Sequence, residues 1–494
     1  MDNHHYFLGI DLGTSSLKLV LIDEHKQVLR TETLGYAIEQ PAPGYREIDP
    51  DVWYECLMSG MERIFTEVSP HYLEGIGVSG QMHTLVMLDD HGDSVRPAMM
   101  WDDTRTADLL DELREKLTLA HESDYLINCL STGSPAANLF WVRTNEPDPY
   151  RRIRKLLIAP DYLIYRLTGT YGTDFCEAST SCLYDIEKRD WSKPIQQLLD
   201  LSPSVFPAVR GSAECAGALL PAIANRFGLR KEVQVIIGTG DNPATAISTG
   251  CIGQGIPFIS LGTSGILMML SSKLRPDAKG KKILFSLDGS DPVCLLQGAL
   301  QSNGTTYEWL IREILQMNDF NEIERLLSDY QTPDENLLFF PHLMGEKTLF
   351  ADPTLHGALL GLSVSTTRAD IIYTVLEGIC YGFRHLAEAM GLELETCPRI
   401  RLVGGGSKSL VWAQIMADVL NVPIEQTEGS NGAGFGIALL AAYHCGFIPT
   451  AAEMTEGCIK IRNTCYPRPQ IAALCSQKYE KYKRIYPTLK TIYA

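Results

Sequence analysis

Two β-rich runs flank a small polar turn at the start of the chain, Tyr6 to Leu12 and Leu17 to Asp23 around Gly13-Thr14-Ser15-Ser16. Strand formers on both sides of such a turn predict a β-hairpin, with Glu24-His25-Lys26 opening the next reversal. Residues 257–270 repeat the design around Gly262-Thr263-Ser264. The tetrapeptide Leu-Gly-Thr-Ser stands in both hairpins, at 12–15 and at 261–264, 249 residues or half a chain apart. The same motif in the same strand–turn–strand setting predicts two domains of related architecture. Common turn chemistry is the alternative.

Three further apolar runs end in glycine and predict strands: 75–80, 233–238 and 401–406. Apolar residues at three- and four-residue spacing predict helices over Val52 to Phe65, Asp370 to Met390 and Val411 to Leu420. Strands alternating with helices point to α/β sheets covered on their faces. A boundary just after the Asp241 loop divides the chain into 1–245 and 246–494. A last helix over Gln477 to Tyr486 could pack on either half, the N-terminal one included.

Length and composition agree with two soluble globular domains: 494 residues, 45% hydrophobic and 21% charged. With 43 Lys plus Arg against 60 Asp plus Glu, the net charge is −17. So acidic a surface repels nucleic acid and anionic membrane but leaves a small anionic ligand open, if backbone amides and a metal ion bind it locally. The start of the chain lacks the basic and apolar pattern of a signal peptide, and no stretch approaches a membrane span. The 13 cysteines are scattered without a CxxC pair, which predicts reduced cytoplasmic thiols and no structural zinc.

The candidate chemistry gathers at glycine turns after strands, where free backbone N–H groups can receive phosphate oxygens. Gly13-Thr14-Ser15, Gly262-Thr263-Ser264 and Gly404-Gly405-Gly406-Ser407 are of this kind, although turn geometry alone also uses glycine. Neither a P-loop nor a strand-linked GxGxxG occurs, so phosphate held between paired hairpin turns fits better. Asp241, in Gly238-Thr239-Gly240-Asp241-Asn242, ends an apolar strand and could accept a proton from a substrate hydroxyl; capping the next helix is the equal alternative. Asp11 beside the first turn could hold Mg²⁺ through water, or cap that turn. His83 could bond a polyol or serve structure. Trp101-Asp102-Asp103-Thr104-Arg105 could present an apolar face and polar groups to a sugar, or pack a Trp beside an ion pair.

At full length the pattern resembles the FGGY family of carbohydrate kinases, of the sugar-kinase, actin and Hsp70 superfamily. The resemblance rests on Leu8 to Ser15 and on Gly357-Ala358-Leu359-Leu360-Gly361-Leu362, Asp370-Ile371 and Leu376-Glu377-Gly378. Gly80-Gln81-Met82-His83, Arg96 to Trp101, Asp185 to Ser192 and Gly240-Asp241-Asn242 look like the branch that phosphorylates D-xylulose. The resemblance implies two actin-like (ribonuclease H-like) α/β domains around a central cleft, and transfer from Mg-ATP to a ketose, first of all to the 5-hydroxyl of D-xylulose. It implies Asp241 as catalytic base, Asp11 as organiser of the metal, and sugar contacts from Met82, His83, Asp241 and Asn242, with Trp101 and Asp103 beside them. It implies nucleotide contacts from Thr14, Gly262, Thr263, Gly405 and Gly406, with Ser409 and Trp309 nearby. Such kinases are often homodimers; the sequence carries no interface signal.

Four positions depart from the family pattern. Asn138 replaces a usual Lys, Asp102 a frequent Asn, Lys347 a usual Arg and Thr84 a usual Gly. Those near the sugar bear on substrate identity more than on reaction type. The alternatives are a kinase for ribulose, a heptulose or a sugar acid, an actin- or Hsp70-like ATPase, and a sugar sensor without catalysis.

Overall fold

The computed structural model describes residues 4–230, 232–275, 277–317, 319–328, 330, 334–428 and 432–493. Two seven-stranded mixed sheets organise it. In the first, Val28–Gly35, Ser16–Asp23 and Tyr6–Leu12 run antiparallel; Leu73–Gly80 and Gln234–Ile236 follow in parallel, and antiparallel Cys215–Ala218 closes the edge. The short strand Thr239–Gly240 also pairs with Leu73–Gly80. In the second sheet Val293–Leu300, Gly265–Ser271, Phe258–Leu261, Ile400–Val403, Ile424–Thr427 and Ile461–Cys465 repeat that order and those directions, with Lys281–Phe285 added outside. The two Leu-Gly-Thr-Ser turns therefore occupy equivalent hairpins of two sheets with one topology.

Local sequence explains the main helices. Asp49 caps Pro50–Glu67 by accepting from Asp51 N at 3.0 Å, and Pro50 fits the first turn. Trp53, Leu57, Met61 and Ile64 then fall on one buried face against the first sheet; each such side chain contributes roughly 1.5–3 kcal/mol. Arg368–Met390 starts with a Thr367/Asp370 capping box and stops at left-handed Gly391. The helix expected at Val411 to Leu420 begins at Leu410.

Two helices tie the sheets together. Asp241–Ser248 packs on Gly432–His444, where a Cβ on Gly436 would strike the Ala244 carbonyl. Gly432–His444 lies in turn against the first sheet, in contact at Gly434 and Gly9. The segment from the second half that returns to the first sheet is this one, not the C-terminal helix. The expected helix Gln477 to Tyr486 is instead two, Pro469–Tyr482 and Ile485–Tyr493, whose Cys475, Tyr479, Tyr482, Ile485 and Leu489 join the core of the second sheet. All 13 cysteines are free thiols. Among the described residues no helix is long and apolar enough to cross a membrane.

Candidate active site

Leu12, Gly80 and Gly240 share one row across three parallel strands. Asp11 stands one residue before that row and Asp241 one residue after it, so both carboxylates reach the same carboxyl end of the sheet, where α/β folds place ligands. Asp241 is also the first residue of its helix, with Gly240 as cap. A side chain on Gly240 would crowd Met82, Cys176 and Glu177, so the approach to Asp241 is closely packed.

Burial lifts Asp11 to a pKa of about 6, with Lys18, its cross-strand neighbour, pulling the other way. Burial and the facing charge of Asp11 lift Asp241 to about 7; Lys281 and the Asn242 amide oppose the rise. A carboxylate poised there is matched to general-base work near neutral pH. Helix capping and catalysis, equal alternatives from sequence, are compatible: Asp241 sits in the first turn, yet the cap is Gly240.

Around this pair lie the expected sugar residues. Met82 Sδ accepts from Asn242 Nδ2 at 3.2 Å, and the Asn242 amide also meets Gln297 of the second sheet at 3.4–3.5 Å. His83 adopts a left-handed backbone, φ 69°, and its Nε2 lies 2.5 Å from Lys281 Nζ. Burial and Lys281 hold the imidazole well below its usual pKa. It is thus neutral: Nε2 accepts from Lys281, leaving Nδ1–H as a donor. Trp101 is 44% exposed and donates from Nε1 to Thr14 Oγ1 at 3.0 Å, bridging its own loop and the Gly13-Thr14-Ser15 turn.

Asp103 requires a correction. Its side chain is wholly buried, bound to Arg105 at 2.6 Å and to the Arg46 amide at 2.7 Å, and the Arg105 guanidinium lies 3.8 Å over Tyr45. It anchors the Trp101 loop instead of presenting oxygens to a sugar. Asp102 likewise pairs with Arg46 at 2.7 Å. Buried Thr84 bonds Gln81 and receives the Trp101 amide at 3.1 Å, so it too fixes loops. Asn138, also buried, donates to the Gly133 carbonyl beneath Trp101. Of the four departures, Lys347 opens on a cavity that it shares with His83.

The second phosphate turn borders a cavity of ≈ 700 Å³ in the C-terminal lobe. Gly262, Thr263, Gly405, Gly406 and Ser409 all line it. Gly404, φ 86°, lets the turn pass over the Leu261 backbone, while above Gly405 the space is open. Ser409 caps Leu410–Leu420, accepting from Trp412 N at 3.0 Å. Trp309 is the exception: it is 38% exposed and off the lining, to which the same helix contributes Gly304, Thr305, Tyr307 and Glu308.

Comparison with known proteins settles the family. Residues 6–248 match the FGGY family of carbohydrate kinases, N-terminal domain, and residues 258–445 match its C-terminal domain. The chain is an FGGY carbohydrate kinase. It is 32% identical over 493 residues to a xylulose kinase of Lactococcus lactis, covering 99% of this chain and 97% of that one. It is 29% identical to a xylulose kinase of Staphylococcus xylosus, over 97% and 99%. Among solved structures it resembles a xyloylose kinase from Brucella ovis, with TM-score 0.87, 30% identity and coverage of 99% and 100%.

The structure also brings to the FGGY site residues that sequence reading passed over. Lys281 and Gln297 arrive from strands of the second sheet, roughly 40–60 residues beyond Asp241, and only the tertiary fold places them at the sugar loops. Gly304 lies close over the Gly262 carbonyl; Asn303-Gly304 after a strand was a readable turn signal. Glu177 lies buried under Gly240 with neither carboxyl oxygen hydrogen-bonded among the described residues. Burial and the acids Asp161, Asp174 and Asp241 raise its pKa well above normal, which favours the protonated form beneath the Asp241 loop.

Proposed function

We propose that this kinase transfers the γ-phosphoryl group of ATP to the 5-hydroxyl of D-xylulose, giving D-xylulose 5-phosphate and ADP. The observation that carries the reading is the pairing of Asp241, raised to about 7, with Asp11 at one end of three parallel strands. The names of the full-length relatives favour the ketose.

In this scheme the sugar rests on the N-terminal lobe, residues 1–245, against Met82, His83, Trp101 and Asn242. ATP occupies the C-terminal lobe, residues 246–494, in the cavity lined by Gly262, Thr263, Gly405, Gly406 and Ser409. Asp241 accepts the hydroxyl proton late, as the phosphoryl group already bonds to oxygen, because an alcohol is too weak an acid to ionise beforehand. Amides of the two Gly-Thr-Ser turns steady the charge on the transferred group. Asp11, with Asp241 facing it and no side-chain hydrogen bond of its own among the described residues, suits Mg²⁺ held through water. No cluster of three or more ligating side chains exists among the described residues, which agrees with an ion bound by one or two carboxylates plus substrate phosphates. When bound, Mg²⁺ neutralises charge on the phosphate oxygens. Closure of the lobes excludes water that would otherwise hydrolyse ATP. The reading is of a cytoplasmic enzyme.

A panel of D-xylulose, ribulose, a heptulose and gluconate, assayed by ADP release, tests this. D-xylulose is expected to give the highest kcat/KM. A far higher value for another acceptor would replace the substrate, and ADP release indifferent to any sugar would refute the kinase reading altogether.

A further inference from the structure

A second chamber, of ≈ 380 Å³, lies behind His83 and Lys281. Its volume falls in the range of small-molecule pockets, about 300–1,000 Å³, and neither Asp241 nor Met82 lines it. Three lysines do, Lys281, Lys282 and Lys347, together with Tyr125 and His83. No aspartate or glutamate is on that lining.

The lysines are incompletely used. Lys282, 4% exposed, donates to the Ala278 carbonyl at 2.9 Å and lies 5.0 Å over the Tyr125 ring. Lys281 gives one bond to His83, and the acidic groups that act on it, Asp241 and Glu177, are outside the chamber. Lys347 is exposed and has no hydrogen bond or ion pair among the described residues. None of the three forms a salt bridge among the described residues. A buried cation without a counter-charge is costly: burial lowers the pKa of both Lys281 and Lys282, and exposed Lys347 lines the same chamber in a chain of net charge −17. An anion is the compensating partner the geometry calls for, and lysine ammonium groups bind oxyanions through charge-assisted bonds.

We propose that this chamber binds a small oxyanion group, a phosphate or a carboxylate, beside the sugar subsite. The site stands independently of which sugar is phosphorylated. Its sources are a free phosphate ion or the carboxylate of a sugar acid, and two titrants distinguish them.

The test is isothermal titration of the full chain, its nucleotide cavity saturated with ADP, first with sodium phosphate and then with D-xylonate. The wild type is expected to bind at least one of them. Lys347→Ala should weaken that binding about tenfold or more, as expected for one lost hydrogen bond to a charged group, and Lys347→Arg should restore most of it. Phosphate binding assigns the free ion, and xylonate binding without phosphate binding assigns the sugar acid. Because Lys347 is exposed, its truncation does not endanger the fold. Absence of heat with both titrants, or equal affinity in wild type and Lys347→Ala, overturns the proposal. Titration reads no turnover, so this failure is separate from a failure to phosphorylate D-xylulose.

Discussion

The role of base proposed for Asp241 opposes its contribution to stability. Its folded pKa of about 7 lies above the ordinary carboxylate value of 3.8, so the folded protein holds a proton that the unfolded chain releases. The stabilisation is full below pH 3.8 and is lost as pH rises through about 7. The ionised carboxylate is therefore made at the expense of stability, and Asp241→Asn should raise the Tm at pH 8 relative to wild type; a lower Tm there would contradict the burial of its charge. In the other direction, kcat/KM of the wild type should fall as pH drops below about 7, because the protonated acid cannot accept the hydroxyl proton. Rates flat from pH 8 to pH 5.5 would remove Asp241 as base. The motif around this residue was legible in sequence because a carboxylate at a strand end followed by small residues is local information. The resemblance likewise marked Met82, His83 and Asn242. Asp103 misled because an Asp-Asp-x-Arg string reads the same whether it faces a ligand or folds back on its own arginine, as it does with Arg105.

Elements show the same division between local and distant information. The hairpins at 6–23 and 257–270 and the long helix from residue 368 were readable, since β-rich runs, turn glycines and capping boxes lie within a few residues of what they specify. The C-terminal helix was read as one because its apolar spacing continues, whereas the backbone divides at Lys483–Arg484. Trp309 directly follows the lining residue Glu308 but is not itself on the lining, a matter of helical phase that no short motif fixes. Two turn glycines now make a contrast. A Cβ on Gly404 would strike the Leu261 backbone, while one on Gly405 meets nothing within 4 Å. Gly404→Ala should destabilise by about 1–3 kcal/mol through overpacking. Gly405→Ala should leave the Tm nearly unchanged yet raise KM for ATP, because its methyl group enters the ≈ 700 Å³ cavity. Equal effects of the two on Tm would mean the turn is not seated as described. In the same lobe His342 is buried against Phe340 and Phe350, with neither ring nitrogen hydrogen-bonded among the described residues. Burial lowers its pKa to about 3 from 6.5. Its neutral form stabilises fully above pH 6.5 and progressively less as pH falls toward 3, by about 1.4 kcal/mol per unit. Urea denaturation of His342→Phe should show a gentler loss of stability below pH 6.5 than wild type; parallel curves would contradict this.

Across the whole molecule, one strand order used twice gives two sheets with equivalent glycine hairpins, and the glycine-packed helices Asp241–Ser248 and Gly432–His444 join the lobes at the base. In the proposed function, motion at that junction would bring Asp241 and the ≈ 700 Å³ cavity together without unfolding either core. The duplication was hinted at by a tetrapeptide; the shared strand order is a property of long-range pairing that no tetrapeptide encodes. The central claim is that the carboxylate of Asp241 takes the proton of a sugar hydroxyl during phosphoryl transfer. ADP formation from Mg-ATP, with and without D-xylulose, by wild type and Asp241→Asn, tests it most directly. The expected result is sugar-dependent ADP formation that falls by about 10²–10⁴-fold in Asp241→Asn, with ATP binding retained. Wild-type turnover by Asp241→Asn, or ADP formation that ignores the sugar, would contradict it.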